Sequence, residues 1–445
     1  MAGAILIASG RVPKITMTRL IPEEPFMAGV VSIVVLVSLS YTLAIFLLSR
    51  RKRPESLPPP DTLFFVFVVP CLNEELVIGR TSDALHTLPG ENYAVLVIDD
   101  GSDDSTAEVV DSYDSDRVWL LERKAPNARL GKGQALNDAF RYLRDSDVLS
   151  HLDSKDVVIA VFDADGRIEP NALFEVGAHF RNPDMGAVQI GVRMYNASDN
   201  LLTRIQDFEF VTFTEVFQRG RQRLGSVGLG GNGQFTRLAA LESLGDAPWT
   251  DCLTEDLDLG IRLLCNGWTN SYCSTSFVSQ QGVTKFGRLI RQRSRWFQGH
   301  MQCWKRIPEI LKSKNLTEGT VWDLTYHLSS PSLVLLMTLP LLVFTLSLIS
   351  ITFESPGGLL QVLGAKHGLL LVAWYVLSFG LAPFYAFVYW LRDRNTSFIK
   401  SFGFAHVYNL YSYMWFVAGW IAVFRVLTGK RSWAKTKRTP ETQAS

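Results

Sequence analysis

The chain has 445 residues, of which 47% are hydrophobic and 20% are charged, and its formal net charge is +1. This length exceeds one ordinary domain and predicts two or three parts, while the near-zero charge argues against a dedicated nucleic-acid-binding protein. The high apolar content and the lack of a long low-complexity tract exclude a disordered chain.

The first predicted element is a membrane-spanning helix at residues 27–50. Residues 27–49 carry no charged side chain and are long enough to cross a bilayer, which takes about 20 apolar residues. The basic run at 50–53 follows directly, and such clusters stay on the cytoplasmic side. We therefore expect residues 1–26 outside the cytoplasm and the next domain inside it. A cleaved signal peptide is disfavoured, because no small-residue cleavage site follows and the basic run lies on the wrong flank.

Residues 60–280 have the pattern of an α/β domain. Apolar runs alternate with helical stretches, which predicts buried parallel strands in a doubly wound sheet. The apolar runs lie at 63–69, 93–98 and 157–162, and helices are expected at 74–87 and 105–113. Ligands bind at the carboxyl ends of such strands. The polar side chains at those ends are Asn73 and Glu74, Asp99 and Asp100, and Asp163 and Asp165.

Asp163 and Asp165 follow the third apolar run with one residue between them. Alternate carboxylates at a strand end can converge on one hard cation such as Mg²⁺ or Mn²⁺. A turn stabilised by aspartate side chains is the structural alternative. An aspartyl phosphatase is disfavoured, because Arg167 stands where such enzymes carry a Thr, two residues after the second Asp.

Two further segments of this domain suggest contacts with a nucleotide. Asp99 and Asp100 end the second apolar run, where a carboxylate can accept a hydrogen bond from a nucleobase or cap the next helix. Lys132 stands between Gly131 and Gly133 and could approach a phosphate, although the pattern is not that of a P-loop.

Thr254, Glu255 and Asp256 open a predicted helix at 257–264. A Thr cap followed by acids in the first turn is a common helix start, and this is the structural interpretation. The functional interpretation makes Asp256 a general base that removes a proton from a sugar hydroxyl.

Residues 281–315 are basic and carry apolar side chains at near-helical spacing. Such a stretch before membrane spans predicts amphipathic helices that lie on the inner leaflet, and a solvated charged face is the alternative. The stretch contains Gln292, Arg293, Ser294, Arg295 and Trp296 in sequence. An Arg there could hold a diphosphate and a Trp could stack on a sugar ring.

The C-terminal region, residues 328–427, is predicted to form a membrane domain of about three hydrophobic segments, at 328–352, 368–390 and 403–427. With the first helix this gives four crossings, which would leave the basic tail at 428–445 outside. The positive-inside rule places that tail in the cytosol, so one segment is re-entrant or interfacial.

Taken in order, these motifs resemble those of membrane-bound processive glycosyltransferases of family 2, to which cellulose, chitin and hyaluronan synthases belong. The resemblance covers roughly residues 60–310 and is carried by an Asp, an Asp-x-Asp, a Thr-Glu-Asp and a Gln-x-x-Arg-Trp motif. They correspond here to Asp99-Asp100, Asp163-Ala164-Asp165, Thr254-Glu255-Asp256 and Gln292 to Trp296. The resemblance implies a cytosolic α/β domain of the GT-A type that uses a nucleotide sugar.

The resemblance also implies roles for individual residues. The catalytic residues would be Asp256 and Glu255. Contacts with the nucleotide sugar would come from Asp99, Asp100, Lys132, Asp163, Gln292, Arg293 and Arg295. The metal, Mg²⁺ or Mn²⁺, would bind Asp163 and Asp165. The acceptor would meet Trp296, Asn232 and Gly233, the last two in a loop less closely matched than the other motifs.

The implied activity is an inverting, metal-dependent transfer of a sugar, from UDP-glucose or UDP-N-acetylglucosamine, to a growing β-linked glycan. The polymer would leave through a channel in the enzyme's own membrane domain, in the plasma membrane and in contact with its lipids. Tyr408, Asn409, Tyr411, Tyr413 and Trp415 could line that channel or form an aromatic belt. The alternative is a membrane glycosyltransferase that adds one sugar to a lipid. A non-catalytic partner is disfavoured by the intact motifs.

Overall fold

The computed structural model describes residues 25–50, 57–338 and 379–430, apart from positions 114, 146 and 394, and also residues 372 and 375. The predicted external segment before residue 25 and most of the basic run lie outside the described residues. So do residues 339–352 of the segment at 328–352, the first part of the segment at 368–390 and most of the basic tail. The chain divides into two compact units, one made of residues 41–332 and 381–445 and the other of 1–40 and 333–380. The first unit contains the sheet and is described below.

The sheet has eight strands in the order β3-β2-β1-β4-β7-β6-β8-β5. The strands are β1 (Phe64–Cys71), β2 (Tyr93–Asp99), β3 (Val118–Glu122), β4 (Val157–Val161), β5 (Arg167–Ile168), β6 (Met185–Met194), β7 (Gln234–Arg237) and β8 (Thr269–Gln280). β1 pairs in parallel with β2 and β4, and β2 with β3. The prediction of three buried parallel strands is therefore confirmed.

Strands β1, β2 and β4 are apolar on both faces because helices cover both sides of the sheet. One side is packed through Phe65, Phe67 and Val69, and the other through Val66 and Val68. The helices around the sheet are α2 (Ile78–His86), α3 (Thr106–Asp111), α4 (Lys132–Asp145), α5 (Ala172–His179), α8 (Leu238–Glu242) and α9 (Glu255–Cys265). The first two are shorter than the predicted 74–87 and 105–113. A hydrogen-bonded turn at Glu74 delays the start of α2, and α3 ends two residues early, at Asp111.

The other half of the sheet differs from the predicted doubly wound arrangement, since β7 runs antiparallel to both β4 and β6. The reason lies in the glycine-rich loop before β7. The Gly233 N–H donates to the Val161 carbonyl at 3.0 Å, so β7 enters the sheet at the edge where β4 leaves it. Gly233 has a φ of 72°, and a Cβ there would lie 2.6 Å from Ile190 Cγ1. The sheet is therefore mixed.

A long helical segment connects β6 to this loop. It consists of α6 (Leu201–Thr212), a π-helical stretch (Phe213–Gln218) and α7 (Arg219–Leu224). Asn200 caps the start by accepting a hydrogen bond from the Thr203 N–H. Gly220 allows the end of α1 (Pro25–Ser49) to approach closely, because a Cβ there would lie 2.4 Å from the Ile45 carbonyl oxygen.

The remaining helices follow β8. They are α10 (Phe286–Gln302), α11 (Ile307–Lys312), α12 (Glu318–Leu336), α13 (Ala382–Arg392), α14 (Phe398–Ser412) and α15 (Met414–Leu427). α10 packs against α15, with Leu289 in contact with the cluster that contains Tyr411 and Met414. Part of the apolar face of α10, which was predicted to lie on the membrane, is therefore covered by α15.

Among the described residues, one helical stretch has the length and composition to cross a membrane. It is Phe398–Leu427, with 30 residues and a mean hydropathy of 1.4 in its most apolar window. The end of α1, Leu36–Ser49, is a shorter apolar helix.

Candidate active site

The carboxyl end of β4 carries the first group of predicted site residues. Lys132 Nζ lies 2.7 Å from Asp163 Oδ1 and also donates to the Gly231 carbonyl at 2.7 Å. The Asp163 N–H donates to Asn232 Oδ1 at 3.2 Å. Lys132 begins α4 and Asn232 precedes β7, so the parallel and antiparallel halves of the sheet meet at Asp163.

Asp165 lies deeper than Asp163. It is buried and accepts a hydrogen bond from the Gln281 N–H at 2.7 Å, whereas the side chain of Asp163 is 31% exposed. The Asn232 amide donates to Gln280 Oε1 at 2.8 Å. These contacts connect the end of β4 to the end of β8.

Asp256 lies on the other side of Gly231. A Cβ built on Gly231 would be 3.2 Å from Lys132 Nζ and 3.3 Å from Asp256 Oδ2, so the glycine leaves room for both groups. Burial opposes the charge of Lys132, but Asp163, Glu255 and Asp256 outweigh it and raise the pKa of the amine. Lys132 therefore holds together carboxylates that would otherwise repel each other.

Glu255 and Asp256 open α9, and both carboxyl groups have raised pKa values. Burial and the neighbouring Asp256 raise the pKa of Glu255 to about 8, against the opposing charges of Lys132 and Arg295. Burial raises the pKa of Asp256, whose Oδ1 accepts a hydrogen bond from the Leu257 N–H at 2.8 Å. Two adjacent carboxyl groups in one buried site do not ionise together readily, so one of them keeps a proton near neutral pH.

The segment just before α9, which leads into Glu255 and Asp256, is held by α10. A Cβ on Gly299 would lie 2.6 Å from the Thr254 nitrogen, so the two segments touch through their backbones. Gln302 Oε1 accepts a hydrogen bond from the Leu253 N–H at 2.8 Å. The thiol sulfurs of Cys252 and Cys303 are 3.6 Å apart and extend this contact.

Arg293 and Arg295 point in different directions, since two residues are about 200° apart around a helix. Arg295 is close enough to Glu255 for its positive charge to lower the pKa of that carboxyl group. Arg293 is buried, with its Nη2 atom 2.6 Å from Glu209 Oε2, and its guanidinium lies 4.1 Å from the ring centroid of Trp296. The predicted role of Arg293 in diphosphate binding is therefore not supported, because a buried ion pair with α6 already satisfies its charge.

Trp296 is half-buried and packs edge-to-face on Phe210, with the ring centroids 6.1 Å apart. Gln292 is half-buried on the same helix. The Gly233 backbone bonds to β4 and to the Ile190 N–H of β6. That position serves to shape the sheet, while the neighbouring Asn232 is the member of the pair that touches Asp163.

Asp99 and Asp100 have partners within the protein. Asp99 accepts hydrogen bonds from the Ser102 N–H at 3.3 and 3.2 Å, as a turn cap would. Asp100 pairs with Arg123 and accepts from the Arg129 N–H at 2.9 Å. Burial raises the pKa of Asp100 against these contacts. Arg123 could not be recognised from the sequence, because an Arg that follows a strand is usually exposed.

The described residues include no group of three or more His, Cys, Asp and Glu side chains placed to bind a metal. Mg²⁺ bound to a nucleotide commonly takes only one or two protein carboxylates and completes its shell with phosphate and water. The partly exposed carboxylate of Asp163 fits this way of binding Mg²⁺, and Asp165 follows two residues later in the sequence.

The part of the chain that carries this site is similar to known proteins. The model of the family described as glycosyltransferase like family 2 matches residues 59–299, which is more than half of the chain. A β-monoglucosyldiacylglycerol synthase of Trichormus variabilis is 32% identical over 283 residues, 62% of this chain and 56% of that protein. The synthase of the same name from Nostoc sp. is 33% identical over 269 residues, 59% of this chain and 54% of that protein. The chain thus spans just over half the length of these relatives.

Among solved structures, a mannosyltransferase from Pyrobaculum calidifontis in complex with GDP-mannose and Mn²⁺ superposes with a TM-score of 0.55. The superposition covers 89% of this chain and 99% of that one at 16% identity, and it concerns the fold alone. The GT-A-like fold implied by the motifs is present. Since the fold and the matched region agree, the chain belongs to glycosyltransferase family 2 and is a glycosyltransferase.

Proposed function

We propose that this enzyme transfers one sugar from a nucleoside-diphosphate sugar to a hydroxyl group of a membrane lipid. The observation that carries the proposal is the placement of Lys132 between Asp163 and the Glu255–Asp256 pair. This arrangement offers a cation for a departing diphosphate next to a carboxylate for an entering hydroxyl. The names of the relatives favour a lipid acceptor, such as diacylglycerol, and glucose as the sugar. They favour the single-addition alternative over a processive polysaccharide synthase.

In this mechanism Asp256 accepts the proton of the acceptor hydroxyl. The hydroxyl oxygen forms a bond to the anomeric carbon as the bond from that carbon to the diphosphate breaks, which inverts the configuration. The raised pKa of Asp256 makes it a better base than an exposed aspartate. The pKa of about 8 keeps Glu255 largely protonated at neutral pH, so Glu255 adds little negative charge beside Asp256.

Lys132 and Arg295 would offset the charge that develops on the diphosphate. Asp163, with Asp165, would hold Mg²⁺ or Mn²⁺, which supplies additional positive charge when bound. On the acceptor side, Trp296 and Asn232 would flank the entering hydroxyl. Asp99 and Asp100 would shape the loop that receives the nucleobase.

The enzyme would work at the cytoplasmic face of the plasma membrane. In this proposal the α/β domain of residues 60–280 lies in the cytosol, with residues 27–50 and parts of 328–427 in the membrane. Since the acceptor is a lipid, a catalytic domain held at the membrane surface meets its substrate without extracting it into water.

The test uses the full chain in vesicles that contain diacylglycerol, with UDP-glucose, UDP-N-acetylglucosamine and GDP-mannose supplied in turn with Mg²⁺ or Mn²⁺. Mass spectrometry of the lipid fraction is expected to show one added hexose from one donor. A soluble or membrane-bound polymer with no mono-glycosylated lipid would overturn the lipid proposal. The Asp256→Asn variant provides the blank.

A further inference from the structure

The apolar stretch formed by α14 and α15, together with its flanking residues, contacts α6 and α10 at three places. Asp393, which directly follows α13 and lies five residues before α14, pairs through Oδ2 with Arg204 Nη1 of α6 at 3.3 Å. In the middle, Tyr411 Oη and Trp415 Nε1 donate to Glu209 of α6 at 3.0 and 3.2 Å. Just after α15, Gln298 Nε2 of α10 donates to the Lys430 carbonyl at 2.9 Å.

These contacts bear on how the stretch meets a membrane. A helix of 30 residues is about 45 Å long, which exceeds the hydrocarbon thickness of about 30 Å. A spanning helix would have its two ends on opposite sides of the bilayer. Here both ends touch helices of one catalytic domain, within the region that the family model covers. The stretch therefore lies along the domain and does not leave it.

The side of α15 that faces the domain is built from small residues. Ala418, Gly419 and Ala422 are buried, at a spacing that places them on one side of the helix, against α10. The opposite side is apolar and exposed. It consists of Tyr413, Val417, Trp420, Ile421, Phe424 and Leu427.

The exposed side continues along α14 through Ile399, which is 82% exposed, and Leu410, which is 61% exposed. A contiguous apolar strip of this kind marks a binding surface. Lys400 and Lys430 are exposed near its two ends, where they can meet anionic headgroups. Apolar side chains between basic ends fit a lipid surface better than an aqueous one.

We propose that α14 and α15 form an interfacial helix that lies in the plane of the membrane, with this strip among the acyl chains of the cytoplasmic leaflet. The proposal rests on the proposed function only in that the leaflet carries the acceptor. It also resolves the topology. With spans predicted at 27–50, 328–352 and 368–390, three crossings leave the basic tail in the cytosol, as the positive-inside rule requires.

The same contacts connect this surface to the active site. Glu209 accepts hydrogen bonds from Tyr411 and Trp415 and pairs with Arg293, whose guanidinium stacks on Trp296. A lipid that lies against α15 is therefore adjacent to the helix that supports the catalytic loop.

The sidedness of the stretch can be measured with introduced cysteines and a membrane-impermeant maleimide, applied to sealed vesicles of each orientation. Asn395→Cys lies just before α14, Lys430→Cys lies just after α15, and Glu108→Cys marks the exposed surface of the catalytic domain. All three are expected to react from the same side. Reaction of Asn395→Cys and Lys430→Cys from opposite sides would overturn the proposal. The unmodified chain, whose five thiols are buried or half-buried, gives the background.

The environment of the exposed strip is tested with Phe424→Cys. A lipid-soluble maleimide is expected to react with it at least tenfold faster than a water-soluble one. Equal reaction with both reagents would place the strip in water and overturn the proposal. Cross-linking of two chains through this cysteine by a short bis-maleimide would assign the strip to a second copy and overturn it as well. None of these readouts requires sugar transfer, so a failed activity assay leaves the result interpretable.

Discussion

The two halves of the proposed active site are held in place in different ways. On the proposed donor side, Asp99 accepts a hydrogen bond from Ser102, three residues later, and Asp100 pairs with Arg123, which follows the neighbouring strand. On the proposed acceptor side, Glu255 and Asp256 open α9, and the segment just before them is held by α10, which packs against α15.

This difference determines which half of the proposed site responds to substitutions in distant parts of the chain. The donor half is built from strand ends of a single sheet, so its geometry is fixed by backbone pairing. The acceptor half depends on a helix–helix contact with a segment more than a hundred residues further along the chain. We therefore expect changes at the contact between α10 and the segment before α9 to reduce turnover more than they reduce nucleotide binding.

The largest expected effect is that of Asp256→Asn. Without a base at this position the rate of sugar transfer is expected to fall about 10³-fold, within the usual range for the loss of general base catalysis. The affinity for the nucleotide should change little, because Lys132 and Asp163 remain. Steady-state kinetics and calorimetric titration with UDP measure the two quantities. Asp251→Asn, at an exposed position that accepts a hydrogen bond from Gln134, is the matched control and should keep full activity.

If Asp256→Asn lost nucleotide affinity as well as turnover, the result would contradict the separate action of the donor and acceptor halves of the site.

A smaller effect is expected from Gly299→Ala. The new methyl group would lie within 2.8 Å of the Thr254 nitrogen and side chain, so α10 and the catalytic loop must separate. Displacement of a catalytic group by about 1 Å can cost 10²-fold in rate, and we expect a loss of about that size. Gly287→Ala on the same helix meets nothing within 4 Å and should retain activity.

Nucleotide affinity is measured for both glycine variants, and it should be close to that of the wild type in each. Equal activity of Gly299→Ala and Gly287→Ala would mean that the loop does not depend on its contact with α10.

The donor half was the more predictable from the sequence. β1, β2 and β4 lie within about two residues of the apolar runs, because strands buried on both faces leave a continuous apolar pattern. β6 and β8 were not predicted, since they carry polar residues such as Gln189 and Asn270 that are buried only by long-range contacts.

The acceptor half was harder to predict for the same reason. From the sequence alone, Glu209 is expected to be an exposed acid on a helix. Its burial depends on Arg293, Tyr411 and Trp415, which are distant along the chain. The family resemblance implies the same nucleotide-sugar contact for Arg293 as for Arg295, two residues later. The spacing of two residues separates their side chains around the helix, and the chain that folds over α10 then decides what each one meets.

The smallest expected effect concerns the pH dependence of stability. The pKa of Glu255 in the folded protein is about 8, above its ordinary value of 4.5, so between these values the folded state holds a proton that the unfolded state has lost. Stability is therefore fully present below about pH 4.5 and falls as the pH rises toward 8. Glu255→Gln replaces the titratable carboxyl group with an amide, so the Tm of the variant should decline less than that of the wild type between pH 5 and 8. The exposed Glu108→Gln should follow the wild type, and parallel Tm curves for all three proteins would contradict the assigned protonation of the acceptor half.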